Sequence, residues 1–249
     1  MNTPKTNAFT LTEAVVVIAS VAILGGMLFF HPGPISHVQV KGRQMAAASN
    51  VKQIVLACRL YAADNNGAYP TYHLDPTTLR PSEQAGVIVG SSNTAFAQLF
   101  PKYLTNESIF CEQGSAFTPT MADNYIDDPL VWPPQKTLEK GENAFAYCVG
   151  LTDKSNPLFP MVADGFNSLA HWSYVRDKTK EGGVWEGKKA IVGLVDGSAS
   201  IMKVNAVSMT VEGNPVLPGA SYFSTAGGAQ AGQTWLAAPK NVWLNPKDK

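Results

Sequence analysis

The stretch Ala8-Phe9-Thr10-Leu11-Thr12-Glu13, followed by the uncharged run Ala14 to Phe30, decides how the rest of this chain is read. Only a short polar segment with one cation, Lys5, precedes it. The run carries Val15, Val16, Val17, Ile18, Val21, Ile23, Leu24, Met27, Leu28 and Phe29. It has no 3.6-residue period, and a helix apolar on every side suits lipid or a deeply buried bundle rather than a protein surface. From Phe9 to Phe30 there are 22 residues with one ionisable side chain. A helix of that length spans about 33 Å at ~1.5 Å per residue, enough to cross the hydrocarbon core of a bilayer. That ionisable residue is Glu13, and a charge beside such a run is costly unless paired, so by default it marks function.

An ordinary secretory signal would use Lys5 as its n-region and be cut after the apolar run. The residues past Phe30, His31-Pro32-Gly33-Pro34, offer no small-x-small cleavage site. A plain signal anchor has no use for Glu13. The hexapeptide itself resembles the type IV prepilin processing motif, a small residue followed by Phe-Thr-Leu-x-Glu. In that family a prepilin peptidase cuts before the Phe and methylates the new amino group. The Glu then pairs with the N-terminal amine of a neighbouring subunit during assembly. By position, the resemblance implies cleavage between Ala8 and Phe9, N-methylation of Phe9, and Glu13 as the assembly residue. Ala8 stands where the family usually has Gly. The physics is consistent: an α-amino cation and Glu13 are each costly alone in lipid, and a docked neighbour lets them neutralise one another.

Beyond the run, Pro32-Gly33-Pro34 predicts a break or kink in the helix, since Pro removes a donor and clashes with the preceding turn. A second helical pattern covers Gln44 to Asp64. Val51, Ile54, Val55, Cys58, Tyr61 and Ala62 recur at three- and four-residue steps, while Lys52 and Arg59 lie on another face. Gly67 and Pro70 read as stop signals. The segment from Asn50 to Pro70 resembles one found in many pseudopilin-like proteins.

The remainder changes character, with Pro, Gly, Asn and Ser punctuating short apolar runs in a β-rich pattern with long loops. The clearest hairpin joins Ala190–Val195 to Ser198–Val204 through Asp196-Gly197, for which a type I′ turn is expected. Ala144–Val149 and Phe159–Ala163 are further expected strands. Many prepilin-like proteins end in a segment with His, nine residues, then Asp-Gly. This chain has Glu186 in place of the His, nine residues, then Asp196-Gly197. Asp196 and Gly197 are read first as turn residues. The tail from Pro215 carries no motif.

Composition narrows the function classes. A chain of 249 residues holds one good-sized domain or two small ones, and 45% hydrophobic residues argue against whole-chain disorder. Lys plus Arg equals Asp plus Glu at 19 each with no basic stripe, so nucleic acid is not an expected partner. The histidines, His31, His37, His73 and His171, are scattered, and neither HExxH nor G-x-S-x-G occurs. Gly182 to Lys189 is a near miss to a phosphate loop, ending in Lys189 where Ser or Thr is needed, with a strand expected after it. No enzymatic activity is expected. Tyr147, Trp172 and Trp185 are read as core between helix and sheet before they are read as a carbohydrate or peptide groove.

Two features stay open at this level. Cys58, Cys111 and Cys148 have no CxxC spacing. If the body of the chain lies outside the cytoplasm, a Cys111–Cys148 bridge beside one buried thiol is the favoured reading, against three buried thiols. Major pseudopilins of type II secretion commonly hold calcium in their C-terminal region. That resemblance makes calcium a candidate cofactor here, with Asp123, Asp127 and Asp128 in one polar stretch, and Glu186 and Asp196 near Asp164, as candidate ligands. The competing reading is that these acids are solvated turn-formers.

The expected fold is α+β and pilin-like, with a long N-terminal helix packed on a small antiparallel sheet. Its expected parts are a leader over 1–8, a transmembrane and filament-core helix over 9–30, a kink and amphipathic helix over 31–69, and a β-rich extracytoplasmic domain over 70–249. The resemblance implies a structural subunit of a type IV pilus-like filament or type II secretion pseudopilus. Its partners would be copies of itself or related pilins, the prepilin peptidase, inner-membrane lipid and the assembly platform. Its place would be the bacterial inner membrane, crossed once, with the globular part in the periplasm and the filament there or at the cell surface. The alternative is a membrane-anchored protein whose extracytoplasmic domain captures a ligand or cargo.

Overall fold

Helix α1, Leu11–Phe29, starts at Thr10, whose carbonyl accepts the first helical bond from Ala14 N–H at 3.1 Å. The computed structural model describes residues 10–29, 32–70, 90–128, 136–213, 220–224 and 241–246. Two compact units divide the chain, Met1–Arg43 and Gln44–Lys249. In the first, Val15, Val16, Val17, Ile18, Val21, Ile23 and Leu24 of α1 are all exposed. Four of them are consecutive, and at about 100° per residue they point to every side of the helix. Among the described residues no helix is long and apolar enough to cross a membrane. The apolar run anticipated over Phe9–Phe30 has both end residues outside the described set.

Helix α1 runs Leu11–Phe29 and helix α2 runs Pro32–Asp64, and the expected break at Pro32-Gly33-Pro34 adjoins residues 30 and 31, which lie outside the described set. Pro32 opens α2, where a missing N–H costs nothing because the first turn has no intrahelical acceptor. The helix therefore starts well before Gln44, where the apolar periodicity begins. Its periodic half belongs to the second unit, with Ala47, Val51, Ile54, Val55, Cys58 and Ala62 buried and Lys52 and Arg59 exposed. Tyr61 is half-buried. Gly67, at φ 83°, ends the helix by donating its N–H back to the Ala62 carbonyl at 2.8 Å, a conformation open to glycine.

That buried stripe lies on a five-stranded antiparallel sheet of order β4-β3-β2-β1-β5. The strands are β1 Phe145–Val149, β2 Pro160–Asp164, β3 Lys189–Leu194, β4 Ala199–Lys203 and β5 Val242–Leu244. The first four match the expected strands to within a residue or two. β5 comes from the tail that carried no motif and completes the edge beside β1. The fold class is α+β. A short helix α3, Ser92–Ala97, packs against β1, with Phe96 4.8 Å from the Tyr147 ring and 5.0 Å from Phe110. A second aromatic group, Phe166, Phe223 and Trp243, meets edge to face at 5.0–5.4 Å between ring centres.

The Asp-Gly hairpin is present with a different turn. Gly197 N–H donates to the Leu194 carbonyl at 3.0 Å and Leu194 N–H to the Ser198 carbonyl at 2.9 Å. Gly197 has φ 94°, and Asp196 is not among the residues with positive φ. The loop is thus the three-residue kind, a β-turn followed by a glycine bulge, rather than the two-residue type I′ turn. Asp196 serves the turn through Oδ1, which accepts from Ser198 N–H at 2.7 Å. Its backbone carbonyl accepts from Arg59 Nη1 of α2 at 2.7 Å, tying the helix to the hairpin.

Candidate functional site

At the start of α1, Thr10 and Glu13 bond reciprocally. Thr10 donates to Glu13 Oε2 from its N–H at 2.9 Å and from Oγ1 at 2.7 Å, and Glu13 N–H donates to Thr10 Oγ1 at 3.3 Å. This is a capping box, in which a Ser or Thr and an acid three residues later satisfy the orphan donors of a helix start. The pattern Thr-x-x-Glu ahead of an apolar run announces it in the sequence, and the reading of Glu13 for its charge alone passed over it. Glu13 is exposed. Ala8 and Phe9, the expected processing positions, lie outside the described residues.

The acidic candidates do not come together as one site. Asp164 is fully buried in β2, and its Oδ2 accepts from Trp185 Nε1 at 2.9 Å and from Ile191 N–H at 2.7 Å. It binds β3 to its neighbour rather than standing in a loop; burial pushes its carboxyl up to about 7. Glu186 is ion-paired with Lys178 at 2.6 Å and with Lys188, and these partners hold it down at about 2. Asp196 is taken up by its turn. Asp127 Oδ2 accepts from the N–H groups of Lys136 and Thr137, at 2.7 and 2.8 Å. Asp128 is exposed nearby in the chain.

Of the six, only Asp123 belongs to a cluster with ligand geometry, and its companions are two acids the sequence did not single out. Carboxylate oxygens of Glu107, Asp123 and Glu142 lie within 4.8 Å of one another, the one such group among the described residues. Glu107 begins a short 3₁₀ helix, Glu107–Phe110, capped by Asn106 Oδ1, which accepts from Ser108 N–H at 2.8 Å. Its own N–H donates to Asn124 Oδ1 at 3.0 Å, and its Oε1 accepts from Leu138 N–H at 2.7 Å. Glu142 accepts from Asp123 N–H at 3.0 Å on Oε1 and from Glu139 N–H at 2.7 Å on Oε2. Asp123 Oδ1 accepts from Tyr125 N–H at 2.7 Å. Glu107 is 0% and Glu142 7% exposed, whereas Asp123 is open to solvent. Burial, with the Glu142 and Asp123 carboxylates adding to it, pushes Glu107 up to about 7.

Two flanking residues hold unusual backbone conformations, Asn124 at φ 60° and Leu138 at φ 51°. For Leu that region is uncommon, and the surroundings impose it: the Leu138 carbonyl accepts from the buried Asn93 Nδ2 of α3 at 2.8 Å while its N–H is committed to Glu107. Nothing local in the sequence links Glu107 to Glu142. The link is tertiary, made by the chain returning toward β1.

All three cysteines are free. The expected Cys111–Cys148 bridge is not formed, because the thiols occupy different settings. Cys148 is buried in β1, its thiol directed to the Val149 carbonyl at 3.9 Å, while Cys111 follows the 3₁₀ helix with its thiol toward the Glu142 carbonyl at 3.5 Å. Tyr147 and Trp185 are buried and Trp172 is half-buried against the core, so the three are core rather than an open groove. Comparison of the chain with protein-family models, curated proteins and solved structures finds no match in any of the three.

Proposed function

We propose that this chain is a structural subunit of a type IV pilus-like filament or a type II secretion pseudopilus, processed between Ala8 and Phe9 and assembled through its N-terminal helix. The observation that carries the proposal is the surface of α1. Val15, Val16, Val17 and Ile18 are 50–68% exposed on successive sides of the helix, with Glu13 the one charge at its start. Such a surface is stable in water only when covered, by lipid before assembly and by neighbouring helices after it. The prepilin-like hexapeptide ahead of it supplies the means of processing and of docking. An α-helix laid on an antiparallel sheet is the arrangement that the resemblance implies for the exposed part, and α2 on β3 supports it.

In this reading Glu13 has two jobs in sequence. Within one subunit it closes the capping box with Thr10; at assembly its remaining acceptor capacity meets the methylated amine of a neighbour's Phe9, and the two charges offset each other's desolvation. Mass spectrometry of the protein recovered from bacterial membranes tests the processing step. The expected species begins at N-methyl-Phe9. Recovery of a chain that keeps Met1, or of a soluble chain cut beyond Phe30, overturns the reading.

A further inference from the structure

We propose that Glu107, Asp123 and Glu142 form a binding site for one hard, oxygen-preferring divalent cation, with calcium the best fit. Three carboxylates whose oxygens lie within 4.8 Å repel one another unless something positive stands between them. Among the described residues none of the three is in an ion pair with Lys or Arg. The second observation is independent of this clustering. Glu107 is fully buried, and while its Oε1 holds the Leu138 N–H, its Oε2 has no hydrogen-bond partner. A buried carboxylate oxygen left bare is costly, and each such group in a native protein asks for an explanation. A cation seated against Glu107 supplies one.

The rest of the arrangement is what a cation site requires. Both oxygens of Glu142 and one of Asp123 are held by backbone N–H groups, which fixes the carboxylates in place while leaving lone pairs free. Asp123 is exposed, so the site has a way in from solvent and room for water ligands. Oxygens on opposite sides of calcium stand about 4.6–5.2 Å apart, against about 4.0–4.2 Å for magnesium, and calcium tolerates irregular geometry. Separations of up to 4.8 Å fit within calcium's ligand shell, and acids drawn from a 3₁₀ helix and two loops suit an ion that tolerates irregular geometry. Zinc would look for nitrogen or sulfur, and the Cys111 thiol is turned to the Glu142 carbonyl, with burial raising its pKa. The site lies ahead of the sheet, on the 3₁₀ helix and two loops, apart from Asp164, Glu186 and Asp196. It does not depend on the filament reading.

Bound there, the ion would clamp three segments, the helix start at Glu107, the loop at Asp123 and the stretch through Glu142 that leads into β1. The test uses the full chain in detergent, stripped with EDTA and then titrated with calcium chloride at constant ionic strength, followed by calorimetric binding and thermal melting. Calcium is expected to bind once, with Kd of roughly 10⁻⁴–10⁻³ M, and to raise the melting temperature more than equal magnesium. Asp123→Asn, at an exposed position, should leave the melt in EDTA unchanged and weaken calcium binding by about tenfold or more. Glu107→Gln should abolish the calcium response while melting no lower than the parent in EDTA. No calcium-dependent heat or shift, a response to zinc but not calcium, or a response intact in Asp123→Asn overturns the proposal. Asp123→Asn decides the matter alone if Glu107→Gln does not fold.

Discussion

Gly193 of β3 makes room for Val51 of α2. A Cβ placed on Gly193 would stand 2.5 Å from Val51 Cγ1 and 2.8 Å from Val55 Cγ2, closer than carbon atoms pack. The helix is seated on the sheet through this missing side chain, and Val is too stiff at χ1 to swing away. Gly193→Ala is therefore expected to destabilise the protein by about 1–3 kcal/mol through overpacking. Urea unfolding measures the loss. Adding Val51→Ala should recover part of it, since the two changes share one contact. Additive losses in the double variant would mean that the helix does not rest where Gly193 places it.

The cysteines give a prediction that separates the two readings of the sequence. Cys58 and Cys148 are buried and Cys111 half-buried, and burial raises the pKa of all three thiols. Thiols raised in this way react slowly. The folded protein should label slowly with a thiol reagent, Cys111 first. After unfolding without reductant, all three thiols should be counted. A count of one would restore the Cys111–Cys148 bridge.

Much of this fold was legible because local and tertiary demands agree. The stripe Val51, Ile54, Val55, Cys58, Ala62 is periodic because one face of α2 is buried, and the Asp196-Gly197 hairpin announces itself through a residue that can take positive φ. The kind of turn was not legible, because Asp-Gly serves a two-residue and a three-residue loop alike, and the hydrogen bonds of Leu194 decide between them. β5 was missed for a different reason. Val242–Leu244 is too short to show a period, and its pairing with β1 and the Phe166–Asn245 bonds are long-range. The acid cluster follows the same logic. Asp123 was named with its sequence neighbours, whereas the fold joins it to Glu107 and Glu142.

Asp164 predicts how stability varies with pH. Its Oδ1 is buried without a hydrogen-bond partner, and burial pushes the carboxyl from its ordinary 3.8 up to about 7. Between those values the native state holds a proton that the unfolded chain has released. Stability from this group is thus full below about pH 4 and falls as pH rises toward 7, by an amount on the order of a few kcal/mol. Tyr174, whose hydroxyl donates to the Asp164 backbone carbonyl at 3.4 Å, is neutral throughout that window, since burial raises its pKa as well. Asp164→Asn keeps an acceptor for Trp185 and Ile191 and removes the charge. The variant should match the parent near pH 4 and exceed it progressively up to pH 7 in denaturant midpoint. A difference that stays constant with pH would show that Asp164 does not titrate in this range.

The capping bond of Glu13 and the docking role proposed for it can be split with two substitutions. Glu13→Gln keeps a capping box, because an amide oxygen accepts from Thr10 as a carboxylate does, but it removes the charge. Glu13→Ala removes both, and losing the cap costs the helix start about 1 kcal/mol. If Glu13 were only a cap, Gln would behave as the parent and Ala would show mild fraying. If its charge meets a neighbour's amine, Gln should insert and be processed normally yet fail to assemble, as fully as Ala does, because a neutral partner leaves the docked cation unbalanced in an apolar setting. Filaments sheared from cells, together with the membrane-retained fraction, report the two steps separately. Normal assembly of Glu13→Gln would reduce Glu13 to a capping residue and remove the electrostatic basis of docking.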